Sequence, residues 1–81
     1  MDLRLVSYFL KVFEAGSISA ASRELHLTQP TLSRQIRKLE RNLGVRLFTT
    51  GTKATATPAA LSFVPIARDL INRANQAEAQ L

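Results

Sequence analysis

The segment Leu27–Gly44, LTQPTLSRQIRKLERNLG, decides the fold. Thr28 offers an N-cap hydroxyl. Pro30 falls in the first helical turn, where its missing N–H has no helical partner to lose. Gly44 supplies the terminator. With Gln29 as origin and about 100° per residue, Leu32, Ile36, Leu39 and Leu43 share an arc of roughly 60°, the stripe expected to be buried. Pro30, Arg34, Arg37, Lys38 and Arg41 fall on the opposite side, Ser33 flanks them, and Glu40 lies off to one side. The pattern predicts a helix over about 28–43 with one apolar edge and one cationic edge. Its first turn presents free N–H groups and a partial positive charge, both favourable to phosphate.

Upstream, Leu3, Val6, Phe9, Leu10 and Phe13 recur at helical spacing and predict an amphipathic helix over residues 3–15, ended by Gly16. Ser17 is the next N-cap, for a helix through Ala20, Ala21 and Leu25 that stops near His26. Downstream, VRLFTTGTKATAT (45–57) changes character, and its threonines around Gly51 suit a short hairpin. Thr57 and Pro58 then mark an N-cap and first turn, opening a last helix to Leu81 with Pro65 inside it, where a kink is expected. The chain stops without a C-cap and reads as the N-terminal piece of a longer protein.

Charge is concentrated. Six basic residues (Arg34, Arg37, Lys38, Arg41, Arg46, Lys53) lie between Thr28 and Lys53 against the single acid Glu40, while the other 55 residues carry five bases and five acids. The whole net charge of +5 therefore sits in one segment. A local basic patch on a small domain points to a polyanionic partner, with a merely solubilising surface as the bland alternative.

Two helices joined by a short turn, SISAASRELHLTQPTLSRQI (17–36), match a helix-turn-helix. Ala20 and Ala21 allow a close helix crossing, and Leu25, Leu27, Leu32 and Ile36 would form the shared core. In such a motif the second helix enters the DNA major groove by its N-terminal residues. Gln29 can pair bidentately with adenine and Arg34 with guanine. A plain helical hairpin with a solvated face is the competing reading.

These residues resemble a known family. The run LVSYFLKVFEAGSISAASRELHLTQPTLSRQIRKLERNLGVRLF (5–48), followed by ATPAA (56–60), is similar to the N-terminal DNA-binding domain of a LysR-type transcriptional regulator. The resemblance covers essentially the whole chain. It implies a mainly α fold: a winged helix-turn-helix over 1–57, with three helices and a short β-hairpin wing, then a long linker and dimerisation helix over 58–81. It implies sequence-specific binding of a double-stranded DNA operator by a homodimer of a bacterial, cytoplasmic, nucleoid-associated regulator. It also implies a C-terminal effector-binding domain, outside this chain, for a small-molecule inducer. Carried over by position, it makes Gln29, Pro30, Thr31, Ser33 and Arg34 base contacts, and Thr28, Arg37 and Lys38 phosphate contacts. The wing, near the minor groove, should present Thr50 and Lys53. Thr50 stands where the family usually has arginine, and Lys53 supplies the later basic residue. Ala60 stands where the family often has glycine. Phe63, Ala67, Leu70, Ala74, Ala77 and Leu81 alternate spacings of four and three, the heptad signature of a helix seam, here a dimer interface. A core-facing helix of a single domain would show the same pattern.

Other classes fit worse. The chain has no cysteine and one histidine, so neither a disulfide nor a zinc site is expected, and no cofactor is expected in this domain. Ser17, Ser19, Ser22 and Ser33 lack a partnering base and oxyanion site, so no enzyme is expected. Gly16, Gly44 and Gly51 form no phosphate-cradling loop. A basic amphipathic helix could lie on an anionic membrane, but the apolar stripe of this helix is needed for the core. A domain of 81 residues buries only about 60 % of its unfolded surface and would gain stability from a partner.

Overall fold

A computed structural model describes residues 1–49 and 53–81. It contains α1 (Leu3–Ala15), α2 (Ile18–Leu25), α3 (Gln29–Leu43) and α4 (Pro58–Gln80). Each start is chemically marked. Asp2, Ser17, Thr28 and Thr57 each accept a backbone N–H of the first turn on a side-chain oxygen. Gly16 and Gly44 end α1 and α3 at φ of 79° and 73°, the left-handed region that glycine enters without a Cβ penalty. His26 performs the same turn at φ 57° after α2, at a strain of about 1–2 kcal/mol for a residue bearing a Cβ. Only Leu27 and Thr28 then separate it from α3, which makes the turn of the helix-turn-helix tight.

The core forms around Phe9 of α1. Its ring lies 5.2 Å from Phe63 of α4, 5.6 Å from Phe48 and 6.4 Å from Phe13, between centroids. Leu5, Val6 and Val12 of α1, Ala21 of α2, and Leu32, Ile36 and Leu39 of α3 complete the buried set with Leu47, Ala60, Val64 and Ala67. Leu25, Leu27 and Leu43 pack at its margin. The expected apolar stripe of α3 is therefore the one buried.

After Gly44 the chain runs back along α3. Thr57 Oγ1 donates to the Arg46 carbonyl at 2.7 Å, which ties the start of α4 to this return segment. The Thr57 N–H donates to Leu47 O at 3.0 Å, and the Thr49 N–H to Thr55 O at 2.9 Å. Among the described residues the expected hairpin is thus one antiparallel bridge, Phe48 with Ala56. Its expected tip around Gly51, with the wing position Thr50, lies outside the described residues.

Helix α4 runs through Pro65, which sits on its exposed side, and ends at Gln80. Its first half belongs to the same core as α1, so the sequence boundary at 58 separates elements without dividing the packing. One seam assignment is corrected here. Ala67 has no exposed surface within the single chain, so its methyl packs in the chain's own core and offers a second copy nothing. Phe63 is half-buried against Phe9, Leu70 and Ala74 are half-buried, and Ala77 and Leu81 are exposed.

Candidate nucleic-acid interface

The cationic edge of α3 faces solvent. Gln29, Pro30, Arg34, Arg37, Lys38 and Arg41 are exposed, while Thr31 and Ser33 are half-buried at its borders. Among the described residues three ion pairs form, and none includes Arg34, Arg37, Lys38 or Arg41. Those charges are uncompensated on one helix face.

The first turn carries a hydroxyl relay. Thr28 Oγ1 accepts the Thr31 N–H at 3.3 Å and donates to Thr31 Oγ1 at 2.8 Å. Thr31 Oγ1 in turn accepts from Arg34 Nη2 at 3.3 Å. The N-cap therefore holds the helix start and also steadies the arginine one turn above it. An arginine with fewer rotamers to lose reaches a target at lower entropic cost.

Clefts flank the edge. On one side Thr31, Gln35 and Lys38 meet Asp2, Arg4 and Tyr8 of the first helix region. On the other, Ser33 and Arg37 face Arg46, Thr49 and Ala54 of the return segments across a cleft of about 170 Å³. Residues assigned from sequence as base contacts (Gln29, Pro30, Thr31, Ser33, Arg34) and phosphate contacts (Thr28, Arg37, Lys38) thus occupy one continuous surface. Lys53 is exposed on the far arm of the return segment, where its carbonyl accepts the Thr55 N–H at 3.1 Å.

Sequence reasoning missed Glu40. Helical periodicity sets it off to one side of the cationic edge, yet it is 7 % exposed. Its Oε2 accepts the Leu47 N–H at 2.7 Å, the Phe48 N–H at 3.3 Å and Arg46 Nε at 3.4 Å. Arg46 Nη2 also donates to the Phe48 carbonyl at 3.2 Å. A single carboxylate thereby fastens the return segment to the C-terminal half of α3. The available signal was a lone acid in a cationic run, one residue past Leu39 and one turn beyond Ile36, next to the apolar stripe.

Among the described residues no group of three or more His, Cys, Asp or Glu side chains could hold a metal ion. Of the described residues, no helix is long and apolar enough to cross a membrane.

A tight helix-turn-helix with an exposed cationic second helix, backed by a short antiparallel return, defines the class: a winged helix-turn-helix DNA-binding domain. The chain belongs to the LysR family: residues 3–61 match the family described as bacterial regulatory helix-turn-helix protein, lysR family. It is 44 % identical over 73 residues to the HTH-type transcriptional regulator ClcR of Pseudomonas putida, covering 89 % of this chain and 25 % of that protein. It is 37 % identical over 75 residues to the HTH-type transcriptional regulator BsdA of Bacillus subtilis (strain 168), covering 90 % and 26 %. The chain therefore spans about a quarter of the length of these curated relatives. The crystal structure of the CbnR_DBD–DNA complex is similar with a TM-score of 0.93 at 34 % identity, covering 99 % of this chain and 93 % of that one. The BenM_DBD/benA site 1 DNA complex gives 0.91 at 36 %, covering 99 % and 94 %. These relatives are named as transcriptional regulators, and both structures are DNA complexes.

Proposed function

We propose that this chain binds double-stranded DNA sequence-specifically, by binding alone and without catalysis, as the DNA-binding domain of a LysR-type transcriptional regulator. The observation that carries the reading is the exposed cationic edge of α3, free of ion pairs among the described residues, rising from a capped N-terminus. In this reading α3 enters the major groove. Gln29, Pro30, Thr31, Ser33 and Arg34 meet base edges, and Thr28, Arg37 and Lys38 meet phosphates that set the register. The return segment carries Lys53 toward the neighbouring minor groove. The whole regulator works in the bacterial cytoplasm on the nucleoid and takes its small-molecule inducer in a C-terminal domain.

The same reading makes the chain a homodimer through α4, using Leu70, Ala74, Ala77 and Leu81 with the free edge of Phe63. Support comes from an apolar cleft of about 250 Å³ beside it, lined by Val45, Phe63 and Ile66 among others. Leu61 and Ile66 are also more than half exposed on α4. Two copies would present two α3 helices to two half-sites.

Selection of bound duplexes from a random pool, followed by affinity measurement on the selected and a shuffled sequence, tests this function. Specific domains prefer their sites by about 10³-fold or more. A preference below about tenfold would sink the reading, since nonspecific phosphate binding would then account for the affinity.

A further inference from the structure

We propose that the cleft between α3 and the return segment seats the sugar–phosphate strand that separates the two grooves, with Arg46 as its phosphate contact and Glu40 as the residue that positions Arg46. The inference rests on the function just proposed. A domain that reads the major groove with α3 and reaches the adjacent minor groove with its wing straddles one backbone strand. That strand passes between the two elements. The cleft found there is lined by Ile18, Ser33, Arg37, Arg46, Thr49 and Ala54.

Arg46 is built for the role. Its side chain is 62 % exposed although its base is fixed at two points. Nε donates to Glu40 Oε2 and one Nη2 hydrogen donates to the Phe48 carbonyl, so two of the five N–H donors are held inside the protein. Among the described residues nothing pairs with Nη1. The end edge of the fork, formed by Nη1 and the second Nη2 hydrogen, is left for a bidentate phosphate contact. A free arginine would lose rotamer entropy on binding, whereas these two contacts already restrict this one in part. Glu40 does the ordering, and its own negative charge is answered by Arg46 and two backbone N–H groups. Arg37, across the cleft on α3, reaches the same strand from the other side.

The test uses this chain, a duplex selected for tight binding and a shuffled duplex, with affinities read by fluorescence anisotropy across salt concentrations. Thermal unfolding first establishes that each variant is folded. Arg46→Gln is expected to weaken both duplexes about tenfold, as loss of a hydrogen bond to a charged group does. It should also lower the slope of log affinity against log salt by about 1. Arg46→Lys keeps the charge and should keep the slope while losing affinity. Glu40→Gln removes a buried negative charge from beneath a cationic surface, which on charge alone should tighten binding. Acting through Arg46 it is expected to weaken binding instead, and to add little once Arg46→Gln is present. An unchanged slope in Arg46→Gln, with the unmodified chain still preferring its selected duplex, would overturn the cleft assignment and leave the reading of α3 standing. Tighter binding by folded Glu40→Gln would overturn the positioning role. An unmodified chain that prefers no duplex would overturn the inference together with the function beneath it.

Discussion

Glu40→Leu isolates the mechanical role of the buried carboxylate. Oε2 of Glu40 is the acceptor for the N–H groups of Leu47 and Phe48, which are 0 % and 6 % exposed. Leucine, one bond shorter and without an acceptor, keeps the site apolar and leaves both donors without a partner. Each orphaned buried donor costs about 1–3 kcal/mol. Loss of the Arg46 pair adds little, because Arg46 is largely exposed and solvent screens it, below about 1 kcal/mol. Against this, the variant no longer desolvates a carboxylate, which returns part of the loss. The net expectation is a destabilisation of about 2–4 kcal/mol. For a chain of 81 residues with a total stability of roughly 4–12 kcal/mol, that is a large share. The melting temperature should drop by roughly 10–25 °C. Glu40→Gln retains an acceptor oxygen and should lose only about 1 kcal/mol. Urea unfolding followed by far-UV circular dichroism, at one fixed protein concentration, measures both variants. If Glu40→Leu unfolds within about 0.5 kcal/mol of the unmodified chain, or no earlier than Glu40→Gln, the fastening argument is wrong.

Three further outcomes are expected. Arg34→Ala should weaken binding to the selected duplex by about 1–3 kcal/mol and relax preference at one base pair; equal weakening on shuffled DNA would make Arg34 a phosphate contact. Affinity for the selected duplex should fall by about 10³-fold or more between roughly 50 and 200 mM salt, and a nearly flat titration would contradict phosphate-dominated binding. Leu70→Glu with Ala74→Glu should dissociate the proposed dimer while each chain stays helical, because two unpaired charges cannot be buried in an apolar seam; sedimentation that still shows a dimer would place the interface elsewhere.

What was legible in the sequence was local. Ser17, Thr28, Thr57, Gly16 and Gly44 act within one helical turn of themselves, so residue type and position suffice to place the helix ends. The buried stripe and cationic edge of α3 follow from periodicity for the same reason. Two features needed the third dimension. Glu40 finds its partners at Leu47 and Phe48, on a return segment beyond the end of α3 at Leu43, where helical periodicity no longer says what faces what. Ala67 belongs to a pattern that serves equally as core or seam, because periods of 3.5 and 3.6 diverge by only about 20° per heptad. Packing in the core decides the matter for Ala67, while Ala74, half-buried, keeps part of its surface free and Ala77 is exposed.

That division within α4 links assembly to recognition. Beyond Ala67 the helix continues to Gln80, about 20 Å at 1.5 Å per residue, with only Leu70, Ile71 and Ala74 partly covered. A stretch this short is marginal as an isolated helix in water. The Asp69–Arg73 pair, at 3.0 Å and one turn apart, is exposed and contributes only about 0.2–0.5 kcal/mol. The distal half draws its helical order from continuity with the packed proximal half, and in the proposed dimer a second copy laid along Leu70, Ala74 and Ala77 would add to it. The proximal half is locked to α1 through Phe63, Val64 and Ala67. Since α1 also packs against α3, any seam formed on the distal half fixes the separation of two α3 helices through a continuous helix and one shared core. In the proposed dimer, half-site spacing is then set by the length of α4 and by the residue at which it leaves the core.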